Sequence, residues 1–104
     1  MAFRIELARA AELDIADAAE YISRDSPVLA QRWLEGLFQL IASFENMPTR
    51  HALIPEAEQL KRQLRSVHYQ SHRIVYEVRE DQSIVYVARI YHGARRPLSA
   101  RDVD

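Results

Sequence analysis

The chain has 104 residues, 48% of them apolar, enough for one modest core and one domain spanning 1–104. It has no cysteine, which excludes disulfides and thiolate metal sites and fits a reducing cytoplasm. The net charge of −1 hides an asymmetry: residues 1–60 carry five arginines against ten acids, whereas residues 61–101 carry nine basic residues against three acids.

In chain order, residues 3–8 alternate, with Phe3, Ile5 and Leu7 apolar, and predict a half-buried strand. Residues 9–24 place Leu13, Ala16 and Ala19, or Ile15, Ala18 and Ile22, at helical spacing, with acids toward the N-terminal half, where the helix dipole favours them. Ser26 and Pro27 then read as a cap and a first helical residue. The second helix runs to about Phe44 with a stripe that includes Trp33, Leu34, Leu37, Phe38, Ile41 and Phe44, all expected in the core. Gly36, in mid-helix, costs roughly 1 kcal/mol against alanine and marks either a close contact, expected against the first helix, or a tolerated weakness. Residues 47–60, broken by Pro48 and Pro55, predict a connecting loop.

Three strands follow, at 63–69, 72–79 and 83–91, the last apolar on both faces as a central strand is. Glu80 to Ser83 turn the chain between the second and third of these. The order β-α-α-β-β-β predicts an α+β domain, a helical hairpin packed on one face of a mainly antiparallel sheet. The other face should be less covered and should carry arginine and histidine.

Several chemistries are absent from the pattern. With only Gly36 and Gly93, the chain has no phosphate-cradling loop, and no metal-ligand spacing, cofactor motif or catalytic triad is recognisable. His68 and His72 are four apart, roughly 13 Å along a strand, too far to share an ion. No apolar run approaches the ~20 residues that span a bilayer, so no membrane role is expected. What remains is a set on the predicted sheet: Arg62, Arg65, His68, His72, Arg73, Arg89, His92, Arg95 and Arg96. Arginine outnumbers lysine thirteen to one, and guanidinium suits bidentate phosphate contact and stacking on bases. Arg95 and Arg96 follow the last strand, where loops tend to carry contacts, and Gly93 permits a sharp exit there. With Arg89 and His68 they are the candidate contacts to a target or nucleic acid. Pairing of the arginines with Glu77, Glu56 or Glu58 is the structural alternative.

The stretch "RIVYEV", a turn, then "IVYVARIYHGARR", after a strand, an Ala/Asp/Glu-rich helix and a helix with Trp33, resembles the RelE/ParE superfamily. These are toxins of bacterial type II toxin–antitoxin systems, and the tail is closer to ParE and to plasmid-stabilisation members than to RelE. The resemblance implies the fold already reached and a cognate antitoxin that binds the toxin as a hetero-oligomer in the cytoplasm. It implies growth arrest through one of two targets. A ParE-like toxin inhibits DNA gyrase without catalysis of its own. A RelE-like toxin cuts mRNA on the ribosome; here Arg73 matches the phosphate-stabilising position and His92 the acid/base position, Arg65 would add positive charge, and Glu56 loosely matches a base carboxylate. The lysine cluster of RelE-type nucleases is missing, with Lys61 standing alone. A non-toxic, partner-binding homologue is the third reading.

Overall fold

A computed structural model describes residues 2–93 and 100–103. The elements are β1 (Arg4–Leu7), α1 (Arg9–Asp25), α2 (Pro27–Ala42), α3 (Ala57–Leu60), β2 (Leu64–Tyr69), β3 (His72–Arg79) and β4 (Ile84–His92), with short 3-10 turns at Ser43–Glu45, Pro48–Arg50, Glu80–Gln82 and Ala100–Val103. The expected α+β order stands.

A single residue joins the two long helices. Ser26 is extended (φ −158°, ψ 111°), which stops α1. Its hydroxyl then accepts the Leu29 N–H at 3.2 Å, and Pro27 takes the first helical position, where a missing N–H costs nothing. Both helices turn an apolar stripe toward the sheet. Ala11 and Ile15 of α1 meet Trp33, Leu37 and Ile41 of α2 over Ile74, Tyr76 and Val78 of β3 and Val85, Val87 and Ile90 of β4.

The sheet runs β1-β4-β3-β2. β1 lies parallel to β4, with Arg4 opposite Ile84 and Leu7 opposite Val87, while β2–β3 and β3–β4 are antiparallel. β4 is therefore central in the sheet, and its apolar residues on both faces are covered on both, Val85, Val87 and Ile90 by the helices and Ala88 by Ile54, Ala57 and Val103. Its pairing with β3 slips once. Tyr76 faces Val87 but Val75 faces Arg89, so Ala88 is an extra residue, a β-bulge. The bulge explains why Val87 and Ile90, three apart, both reach the helical core.

Four expectations are corrected. The second face of the sheet is not open: Leu64, Val75 and Ala88 are buried there under Ile54, Ala57 and Val103. Residues 47–60 are not a plain loop. They hold the turn at Pro48–Arg50 and helix α3, and run along the β2 edge, where the Ile54 N–H donates to the Leu64 carbonyl and the Ser66 N–H to the Ala52 carbonyl. Phe38 is 45% exposed, because it lies about 100° round α2 from the fully buried Leu37. Gly36 makes its close approach to the sheet rather than to α1: a Cβ there would collide with the Tyr69 hydroxyl.

That hydroxyl donates to the Trp33 carbonyl at 2.8 Å. Tyr76, fully buried, donates to the Pro48 carbonyl at 2.6 Å and stacks on Phe44 at 4.2 Å; burial pushes its hydroxyl up to a pKa of about 12. These tyrosines tie α2 and the 47–50 turn to the sheet.

Candidate functional site

β3 begins and β4 ends in histidine. His72 and His92 stand opposite one another across the ladder, ring centroids 5.1 Å apart and nearly perpendicular. Trp33, 4% exposed, meets the His72 ring edge-on at 5.1 Å and so fixes it from behind. Just beyond the pair, the Gly93 N–H donates to the Ser71 carbonyl at 2.7 Å, closing the ladder. Gly93 has φ 66°, a conformation that suits glycine, and the chain bends at it.

This end of the sheet opens beneath the helical hairpin. Two adjoining cavities, about 420 and 480 Å³, share Tyr21, Ile22, His72 and His92 as lining. The first extends past Ile90 to Asp14 and Asp17. The second extends to Leu29, Arg32 and Ser71. The groove is thus acidic at one end, basic at the other and apolar along its floor. At its mouth Tyr21 and Leu29 are exposed. A concave, largely apolar surface with a few polar groups is the usual form of a binding site.

The sequence-derived candidates are dispersed over the sheet. His92 is exposed at the groove. Arg73 faces Tyr91 and His68 across its two ladders, one residue out of step with the histidine pair, so it projects from the opposite sheet face. Arg65 pairs with Tyr76 near the far end of β2. Its guanidinium donates to the Thr49 and His51 carbonyls at 3.1 and 2.6 Å and to Gln63 Oε1 at 3.0 Å, pinning the 49–51 backbone. His92, Arg73 and Arg65 are therefore not brought together. Glu56 sits at the start of α3, beside the second core.

Arg89 is held by Asp14 through two hydrogen bonds, 2.8 and 3.1 Å, and lies 5.1 Å over the Tyr91 ring. The Asp14 hydrogen bonds raise its pKa above the usual guanidinium value. His68 is exposed on β2, in line with Arg73 and Tyr91. Arg95 and Arg96 lie outside the described residues. Arg62 and Arg79 pair with Glu77, at 2.9 and 2.8 Å, as the structural alternative for the arginines expects. Burial alone would push the Glu77 carboxyl up, but the hydrogen bonds from the two arginines outweigh it and hold the carboxyl below its ordinary value.

Sequence reasoning missed the groove. Its residues, Asp17, Tyr21, Arg32, His72 and His92, come from four elements, and the histidine pairing depends on the bulge. Continued without a slip, the register that pairs Arg79 with Ile84 would set His72 opposite Tyr91. Among the described residues no group of three or more His, Asp or Glu is arranged to hold a metal ion, and no helix is long and apolar enough to cross a membrane.

Comparison with known proteins fits this architecture. No curated protein matches the sequence. Among solved structures, the fold is similar to that of the chromosomal ParDE toxin–antitoxin system of P. aeruginosa (TM-score 0.69, 12% identity, 88% of this chain and 97% of that one). It is also similar to the toxin–antitoxin complex RelBE2 of Mycobacterium tuberculosis (0.62, 16%, 91% and 95%) and to a free, arginine-substituted form of the E. coli toxin RelE (0.63, 16%, 88% and 84%). At these identities the likeness concerns the fold. A family model described as the ParE toxin of the type II toxin–antitoxin system, parDE, matches residues 5–97. With nearly the whole domain matched, the chain belongs to the ParE toxin family, within the RelE/ParE toxins of type II toxin–antitoxin systems.

Proposed function

We propose that this toxin acts by binding and inhibiting DNA gyrase, without breaking bonds itself, and that a cognate antitoxin silences it by forming a hetero-oligomer with it in the cytoplasm. The dispersal of His92, Arg73 and Arg65 supports this reading. Cleavage of RNA through its 2′-hydroxyl needs a base, an acid and phosphate-stabilising cations around one phosphorus. Here Arg73 leaves the sheet on the face opposite His92, and Arg65 is committed to the Thr49 and His51 carbonyls.

The test is supercoiling by purified gyrase. Added toxin should abolish it, and added antitoxin should restore it. Unchanged supercoiling, together with cut mRNA on purified ribosomes, would reverse the assignment.

One observation favours the ribosomal reading as the alternative. His72 and His92 are two imidazoles at 5.1 Å in a groove, and a histidine pair can supply both an acid and a base. If the protein cuts RNA, His92→Ala should lower cleavage at least a hundredfold while leaving folding intact; a gyrase inhibitor should keep most of its toxicity in that variant. Normal growth under induced expression without antitoxin would instead mark a non-toxic homologue.

A further inference from the structure

The turn that follows α2 is held from several sides. Tyr76 donates to the Pro48 carbonyl at 2.6 Å, and the Arg65 guanidinium donates to the Thr49 and His51 carbonyls at 3.1 and 2.6 Å. Arg50 reaches back to the Asn46 carbonyl at 2.9 Å and to the Ser43 hydroxyl at 2.7 Å. We propose that residues 47–51 form a clasp that protonation of His51 opens, uncovering the Phe44–Tyr76 stack and releasing Arg65, while the helices and the sheet stay folded. The device depends on neither target.

His51 is the point at which the clasp gives way. Its ring stands edge-on to Phe44 at 5.9 Å and to Tyr76 at 6.3 Å. Nε2 is buried and, among the described residues, has no hydrogen-bond partner. A neutral ring tolerates this by carrying its hydrogen on Nδ1 and leaving Nε2 bare. An imidazolium carries hydrogen on both nitrogens, so it would bury a donor with no acceptor. Its charge would be opposed as well. Arg50 is its neighbour in the chain and Arg65 holds its carbonyl, and both guanidinium groups lie close enough to the buried Tyr76 hydroxyl to act on its titration. The Tyr76 hydrogen is committed to Pro48, and Glu45, on the turn that carries Phe44, is exposed, where water screens it. Burial first and Arg50 second therefore favour the neutral ring.

The opening is bounded at both ends. Met47 holds a left-handed conformation (φ 51°), uncommon for a residue with a side chain, and is 73% exposed, so a rotation there disturbs little packing. Beyond the clasp, the Ala52 carbonyl accepts the Ser66 N–H and the Ile54 N–H donates to the Leu64 carbonyl, which fixes the chain to the β2 edge. In the open form Arg50, His51 and Arg65 are three neighbouring cations in water, whereas the closed form commits Arg65 to backbone carbonyls.

The experiment is residue-resolved amide hydrogen exchange of the full chain between about pH 7.5 and about pH 5, each rate divided by that of an unstructured chain at the same pH. Protection of the Arg50 amide, which donates to the Met47 carbonyl, should fall about tenfold or more, and amides of β3 and β4 should lose far less. His51→Gln and His51→Phe cannot take up the proton, and either variant should keep Arg50 protection constant over the range. Equal loss at Arg50 and throughout the sheet, constant protection in the parent, or a pH dependence that survives in a folded variant would each overturn the clasp.

Discussion

Asp14 and Arg89 join the first helix to the last strand across seventy-five positions, and the Asp14 carboxylate also accepts the Ile90 N–H at 2.8 Å. The second bond explains the first. β1 ends at Leu7, opposite Val87, so among the described residues the upper part of β4 has no strand on that side. A backbone N–H left there would lack an acceptor, and one helix carboxylate stands in for the missing strand.

Removing that carboxylate leaves a half-buried guanidinium and a strand N–H both unmet. Asp14→Ala should therefore cost about 2–4 kcal/mol. Arg89→Met should cost less, about 1–2 kcal/mol, because the carboxylate keeps the Ile90 N–H. Urea unfolding followed by the fluorescence of Trp33, the chain's one tryptophan, measures both. Equal losses would show that the Ile90 bond contributes nothing separate.

Glu77 gives a pH dependence. Its carboxyl titrates below its ordinary value of 4.5 in the folded chain, held down by hydrogen bonds from Arg62 and Arg79 that outweigh the opposing effect of burial. The stability it contributes is complete above the unfolded value and is lost as pH falls from about 4.5 through the lower folded value. Glu77→Gln should cost about 2–3 kcal/mol at neutral pH and flatten the stability profile below that point. Chemical denaturation from pH 3 to 7 reads both effects.

His51 acts in a higher window. Burial lowers its pKa from 6.5, with the neighbouring Arg50 adding to the effect, and its ring meets Phe44 and Tyr76 edge-on. The unfolded chain takes up the proton first, so stability should fall as pH drops below 6.5, until the folded value is reached. His51→Gln should remove this upper step and leave the Glu77 step in place. Loss of both steps together would mean that the two sites are coupled.

Gly36 inverts the usual helix rule. Alanine at an exposed mid-helix glycine stabilises by about 1 kcal/mol, but here the new Cβ meets the Tyr69 hydroxyl. Gly36→Ala should destabilise by about 1–3 kcal/mol, as overpacking does. In a Tyr69→Phe background the same change should cost clearly less, and a double-mutant cycle isolates the difference.

Local periodicity carried most of the fold. Alternation marks β1 and β3, the Ser26–Pro27 pair marks the helix joint, and a strand apolar on both faces marks β4 as central. What it missed has physical causes. The 47–60 segment is anchored by backbone bonds to Leu64 and Ser66, which no side-chain pattern announces. Phe38 keeps helical company with Leu34 but falls outside the arc that meets the sheet. The groove was hidden because Ala88 shifts the β4 register by one, exchanging Tyr91 for His92 opposite His72, and a one-residue slip turns every later side chain to the other face.

The placement of β4 between β1 and β3 also sets an order for biosynthesis. β1 emerges from the ribosome early, yet its sheet partner begins only at Ile84, eighty residues later. Until that strand is made, β1 and the helical hairpin have half a core to cover, and long-range pairing of this kind is slow to form. A chain broken off before residue 84 therefore lacks the strand that unites both halves of the sheet. Nascent or truncated copies should be substrates for proteases rather than competent toxins.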